Sequence, residues 1–185
     1  MIARWLFLFG FAAALLISLG CSSGGDDGSN PAALACTDGG AAAANGVTMN
    51  CAGALNTTTE QVDVVMSGPA TGTTALRGFN FDVPYDPTKL EFVPAATYTS
   101  PLIPNALIVV SLENGLPGRV VVSVQQPGAD PDVLVAPGPH TVISLSFKTV
   151  TGVSVAPTPL TFDNEETTPP TTGVTFSSSL MLSYQ

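Results

Sequence analysis

From residue 47 onward the chain is a series of short runs rich in β-branched and aromatic residues. Pro, Gly, Asn or Asp interrupts them about every 10–15 residues. No apolar repeat of helical period accompanies them, and this spacing of turn residues is that of a sandwich or barrel. Nine strands are expected, over 47–55, 61–67, 75–85, 89–98, 106–113, 119–126, 140–150, 158–163 and 173–184. Several alternate cleanly. Val62, Val64 and Met66 oppose Gln61, Asp63 and Ser67; Phe79, Phe81, Val83 and Tyr85 oppose Asn80, Asp82 and Pro84. Val120, Val122 and Val124 oppose Val121, Ser123 and Gln125, and Ile143, Leu145 and Phe147 oppose Ser144, Ser146 and Lys148. The last run sets Val174, Phe176, Leu180, Leu182 and Tyr184 against Thr175, Ser177, Ser179 and Ser183. Period two buries one face and wets the other, as in antiparallel sheets. Two such sheets packed together make an all-β sandwich. Ala106 to Leu112 is apolar on both faces, which suits a central strand or one partly covered by a loop. The outward faces carry Ser, Thr, Asn and Gln, so a transmembrane barrel is not expected. One domain, 47–185, accounts for this region, and no second domain is expected after it.

Charge narrows the function classes. Fourteen acids and five bases give −9. Five scattered bases cannot form the face that displaces counterions from a nucleic acid. His140 is the single histidine, which excludes chemistry needing two. The cysteines, Cys21, Cys36 and Cys51, all lie in the first third, so no zinc ribbon spans the domain.

The N-terminus reads as an export signal. Arg4 is followed by an apolar run, Trp5 to Leu19, of about 15 residues. A spanning helix needs about 18–20, whereas a signal-peptide core has this length. The run ends in Ile17-Ser18-Leu19-Gly20-Cys21, which resembles a bacterial lipobox, with Ser18 where that motif usually has Leu. The resemblance implies a signal peptide over 1–20, lipidation of Cys21 and a membrane anchor. Residues 21–46 then form a flexible tether, beginning with the polar stretch Ser22 to Asn30. Ser22 after the cysteine points, by the same resemblance, to the outer membrane. An exported chain meets an oxidising compartment, and with Cys21 lipidated the remaining pair is Cys36 and Cys51. A bridge there would staple the Gly- and Ala-rich loop between them.

Sites for chemistry are sparse. Hydrolysis needs paired acids, or a nucleophile with a base. Glu165 and Glu166 lie in a Thr- and Pro-rich stretch, Asn164 to Gly173, that reads as an exposed loop. Asp130 and Asp132 bracket Pro131 in the loop Pro127 to Pro139 but lack the glycine and distal Glu of an EF-hand. His140 follows Pro139 at a strand start and reads as structural. Removal of residues 1–20 takes away Trp5, the single tryptophan. Of the remaining rings, Phe79, Phe81, Tyr85, Phe147 and Phe176 fall on inward faces, and only Tyr98 lies near a loop. An aromatic sugar platform is therefore not expected. Asn56-Thr57-Thr58 matches a glycosylation sequon, to which no role is assigned. No enzyme activity, metal or cofactor is expected.

The block Leu76-Arg77-Gly78-Phe79-Asn80-Phe81-Asp82-Val83-Pro84-Tyr85-Asp86-Pro87-Thr88-Lys89-Leu90-Glu91-Phe92-Val93 resembles the third and fourth strands of a cohesin domain. Its marks are an alternating aromatic strand, then Tyr-Asp-Pro, then Leu-Glu and an apolar strand. Pro87 presets φ for the turn and Asp86 can accept backbone hydrogen bonds. The turn Asn114 to Gly118 before Val120–Val124, the strand His140 to Val150 and Leu160-Thr161-Phe162-Asp163 fit the same family. The resemblance implies a nine-stranded antiparallel β-sandwich of jelly-roll topology, a fold shared with carbohydrate-binding modules. It implies a protein partner, of which a dockerin on a polysaccharide-degrading enzyme is the family's type, with a polysaccharide ligand or a purely structural surface role as alternatives. In such pairs the dockerin carries the calcium. Carried over by position, the contact residues would be Gly78, Asn80, Asp82 and Pro84, with Val121, Ser123 and Gln125. Asn80 stands where the family often has an acid.

Overall fold

Phe79, Phe81 and Val83 are at most 1% exposed, and the side chains between them point the other way. The computed structural model repeats this alternation through two packed layers. It describes residues 33–128, 130–151, 157–169, 171 and 173–184. The expected signal peptide 1–20, the expected lipidation site Cys21 and the polar stretch 22–30 lie outside the described residues.

Among the described residues fourteen strands follow in order: β1 Leu34–Thr37, β2 Gly46–Asn56, β3 Thr59–Ser67, β4 Thr74–Leu76, β5 Gly78–Pro84, β6 Leu90–Phe92, β7 Leu107–Leu112, β8 Arg119–Gln125, β9 Val133–Val135, β10 Pro139–Thr149, β11 Thr158–Pro159, β12 Asp163–Thr168, β13 Thr175–Phe176 and β14 Met181–Tyr184. A 3-10 turn, Glu113–Gly115, separates β7 from β8. One layer is the five-stranded sheet β13-β2-β3-β10-β6 and the other is β12-β5-β8-β7. A three-stranded sheet, β1-β14-β11, and the pair β4-β9 complete the fold.

The core lies between the layers. Val62, Val64 and Met66 of β3 and Leu145 and Phe147 of β10 meet Phe81, Val122 and Val124 from the opposite layer, all at most 1% exposed. A bulge between Thr141 and Ile143 lets β10 bury both Val142 and Ile143. Phe81 lies edge-on to Phe162 at 5.3 Å between centroids, and Phe147 contacts Tyr85 and Phe92 at 5.6 and 5.7 Å. Such pairs add about 0.5–1.5 kcal/mol each beyond the area they bury. Every described strand, the core and the disulfide fall within 33–184, so the fragment from residue 30 onward contains every pairing described.

The structure departs from the expected nine strands where local chemistry breaks or adds a pairing. The run 75–85 divides at Arg77. Its N–H donates to Thr168 O and its C=O accepts from Gln126 N, so the chain leaves β9's partner strand and enters the four-stranded sheet. The run 89–98 keeps only Leu90–Phe92, because Val93 donates to Ser146 and Pro94 has no N–H to continue the ladder. The run 158–163 is a strand at Thr158–Pro159 and again only at Asp163, where β12 begins, and 173–184 is split around residues 177–180. The loop Pro127–Pro139 contains β9.

Three corrections bear on function. Residues 21–46 are not tether throughout. β1 pairs with β14, Leu34 is 4% exposed, and Cys36 is disulfide-bonded to Cys51. Of the expected loop Asn164 to Gly173, the part through Thr168, with Glu165 and Glu166, belongs to β12 and pairs with β5. The doubly apolar run at 106–112 is neither central nor covered: β7 is an edge strand, with Leu107 65% and Val109 58% exposed.

Candidate binding face

The outward surface of the sheet β12-β5-β8-β7 collects the residues singled out by position. Antiparallel register aligns them in rows. Glu166, Asn80, Ser123 and Val109 form one row from β12 to β7. Asp163, Asp82, Val121 and Ser111 form the next on one side, and Thr168, Gly78, Gln125 and Leu107 the next on the other. Pro84 lies opposite Arg119 at the end of the sheet.

The seven residues share this face but are not its most accessible part. Gly78 is buried beneath Gln125: a Cβ there would sit 2.4 Å from both the Gln125 side-chain oxygen and the Val124 carbonyl oxygen. Asn80 is half-buried and accepts from Gln125 Nε2 at 3.1 Å. Asp82 is 8% exposed. Pro84, Val121, Ser123 and Gln125 are half-buried. The exposed side chains belong to the outer strands: Leu107, Val109 and Ser111 on β7, and Glu166 on β12. None of these four is among the contact residues carried over by position. Reading β7 as a central or partly loop-covered strand and β12 as a loop hid them; the lack of any charge in 107–112, beside acids at 163, 165 and 166, was the available signal.

One end of the face is organised by Arg119. Its Nη1 donates to Asp163 Oδ2 at 2.6 Å and to Asp82 Oδ2 at 3.0 Å, and its Nε lies 3.2 Å from Glu113 Oε2. Asn164 Nδ2 also donates to Asp82 Oδ2, at 2.5 Å. Three carboxylates around one guanidinium leave a local excess of negative charge. The Arg119 hydrogen bond, helped by the Asn164 N–H, holds the Asp163 carboxyl below the usual carboxylate range. The same hydrogen bonds, Asp163 first and then Asp82, push the guanidinium pKa up. The face is thus acidic on its β12 side and apolar along β7.

The other candidates serve the fold. Arg77 Nη1 donates to Asp130 O at 2.9 Å and pairs with Asp132 at 3.1 Å, pinning the loop before β9. His140 Nε2 lies 2.9 Å from Ala136 O. Asp86 caps its turn, accepting from the Thr88 hydroxyl at 2.6 Å and from its N–H at 3.0 Å. The hydroxyl bond, then the N–H bond, lowers the Asp86 pKa. Phe79, Phe81, Tyr85 and Phe147 are buried; Phe176 is half-buried against Phe81 and Phe162. Tyr98 Oη accepts from Ala95 N at 2.9 Å and packs against the core. Among the described residues no group of three metal-ligating side chains is assembled.

No family model matches the sequence, and no curated protein matches it. Solved structures do match in fold. The sixth cohesin of scaffoldin B from Acetivibrio cellulolyticus, solved with a Cel5 dockerin, superposes with a TM-score of 0.55 at 14% identity, over 75% of this chain and 96% of that one. The third cohesin of ScaC from the same organism, solved with the ScaB dockerin, also gives 0.55 at 14% identity, over 71% and 93%. CaCohA2 of Clostridium acetobutylicum gives 0.51 at 14% identity, over 73% and 86%. The chain has the cohesin fold, a β-sandwich of jelly-roll type.

Proposed function

Taking the cohesin fold as premise, we propose that this chain is a non-enzymatic binding module that holds a protein partner on the outer face of β12-β5-β8-β7. The carrying observation is the division of that face. Leu107 and Val109 expose apolar surface along β7, while Glu166 and the Arg119–Asp82–Asp163 cluster make the β12 side acidic. A complementary partner presents an apolar strip beside basic side chains. Apolar anchors would supply most of the affinity, and the acids would set orientation and on-rate. A dockerin is the leading partner class, because the cohesins of Acetivibrio cellulolyticus that share this fold were solved with dockerins.

The test is calorimetric titration of residues 30–185 with purified dockerin modules from the source organism. Wild type should bind. A Val109→Arg, Glu166→Lys double variant should lose at least about tenfold in affinity, or about 1.4 kcal/mol. Equal affinity in the two proteins would discard this face.

The reading extends to Cys21 as a lipidated anchor at the outer membrane, with the following polar residues as tether. Its support is the lipobox-like Ile17-Ser18-Leu19-Gly20-Cys21 after the apolar run. Cys21→Ser should move the protein from the membrane to the soluble fraction. Retention of the variant in the membrane would remove the anchor from the proposal.

A further inference from the structure

Among the described residues strand β7 is the last of its sheet, with β8 on one side and no strand on the other. In an antiparallel pair half of an edge strand's N–H and C=O groups point away from the neighbour. Among the described residues no backbone hydrogen bond reaches β7 from that open side. The six residues Leu107–Leu112 contain no charge, Pro or Gly, and they pair with β8 without a bulge. Ile108, Val110 and Leu112, which face the core, are only half-buried, whereas Val120, Val122 and Val124 beside them are at most 1% exposed. The core itself is open to water along this edge.

The other edges carry the features that prevent strand addition. β12 is bulged between Asp163 and Glu166, holds acids at 163, 165 and 166, and is followed by Pro169. β6 has three residues including Glu91, and β11 and β13 have two each. The part of β2 beyond β13 is broken by irregularities at Cys51/Gly53 and Ala54/Asn56, and the part of β10 beyond β6 accepts from Val93 N at Ser146 and from Leu102 N at Thr141. β4 and β9 have three each, and the four residues of β1 are clamped by the Cys36–Cys51 bridge.

We propose that β7 is a self-association site, at which two copies pair their β7 strands antiparallel about a two-fold axis and join their four-stranded sheets into one of eight strands. A second copy fits because the one undefended edge must meet an edge equally undefended. Charge permits it as well. Outward side chains must face outward side chains, so the axis passes through residue 109 or residue 110. Glu113, the nearest charge, then faces Asn105 or Leu107 of the other copy, so no like charges meet although each chain carries −9. Val109 faces Val109 or Ser111, and Leu107 gains a neighbour across the new pair. The dimer leaves only β12 at each end of the joined sheet, so growth stops at two. A six-residue edge falls short of the roughly 1,200 Å² that stable complexes bury, so the dimer is weak and forms as concentration rises. None of this depends on the partner reading, since no partner enters the test.

Sedimentation equilibrium on residues 30–185 decides it. The average mass of wild type should climb toward twice the monomer with concentration. Val109→Lys, which sets an ammonium group against the edge at a 58% exposed position, should lose the climb. Leu116→Lys, at a position 67% exposed but outside the strand, should keep it. A wild type that stays monomeric at every concentration overturns the proposal. So does a Val109→Lys variant that still dimerises, or a Leu116→Lys variant that loses dimerisation too. Register is read by oxidation: Val109→Cys should cross-link to itself, or to Ser111→Cys in a mixture. Cross-linking in neither case overturns the two-fold pairing.

Discussion

At the scale of single residues, two carboxylates respond to pH with opposite signs. Asp163 is held below the usual carboxylate range by Arg119. Its contribution is present above the unfolded pKa of about 4 and is lost as pH falls through the folded value. Arg119→Leu should therefore lower the melting temperature at neutral pH and flatten the acid limb, as thermal melts between pH 2 and pH 7 would read. Glu60 behaves the other way. It lies on the core-facing side of β3, in register with Phe147 and 5% exposed, and burial raises its pKa. The folded chain binds its proton more tightly than the unfolded chain, so stability falls as pH rises from about 4.3 through the folded pKa. Glu60→Gln should raise the melting temperature at neutral pH and leave it unchanged below pH 4. Neither role was legible beforehand. Alternation places Asp82 outward correctly, but not the convergence of Arg119, Asp163 and Glu113 on it, because β12 comes to β5 from about 80 residues away. Gly78 is a similar case: parity puts it on the outer face, and only the packing of Gln125 shows that no side chain fits there.

Elements differ in how far the sequence reveals them. β3, β8 and β10 pair on both sides and bury one face, so alternation marks them almost to the residue. β12 is an edge, with polar residues on both faces, and reads as loop. β1 is four residues long and owes its place to partners distant in sequence: β14, the Thr57 carbonyl that accepts from Leu34 N, and Cys51. β7 misleads because continuous apolarity usually signals a strand covered on both faces. The bridge of β1 to β2 spans a separation of 15 residues, a loop that chain entropy values at about 3 kcal/mol. Cys36→Ser with Cys51→Ser should lose about that much in urea unfolding. Limited proteolysis of the variant should cut first between β1 and β2. A loss below about 1 kcal/mol would mean that β1 is held by its strand pairing alone.

For the whole molecule, the two layers communicate through a few rings. Phe81 on β5 touches Phe162 and also Phe176, on a strand of the opposite layer. Phe81→Ala should cost about 3–5 kcal/mol, with unfolding still a single transition by fluorescence and circular dichroism. Two separated transitions would show that the layers fold apart. A further consequence concerns load. Leu34 pairs with Tyr184, so the first and last described strands lie side by side. Tension arriving through the residues before β1 would act on a four-residue strand, which alone would peel from β14. At Cys36 the covalent bridge diverts that tension into β2, between β13 and β3 in the five-stranded sheet. The loop 37–50 is short-circuited and bears no force. The domain is thereby gripped from an interior strand, and pulling shears a long ladder at once instead of unzipping a short one bond by bond.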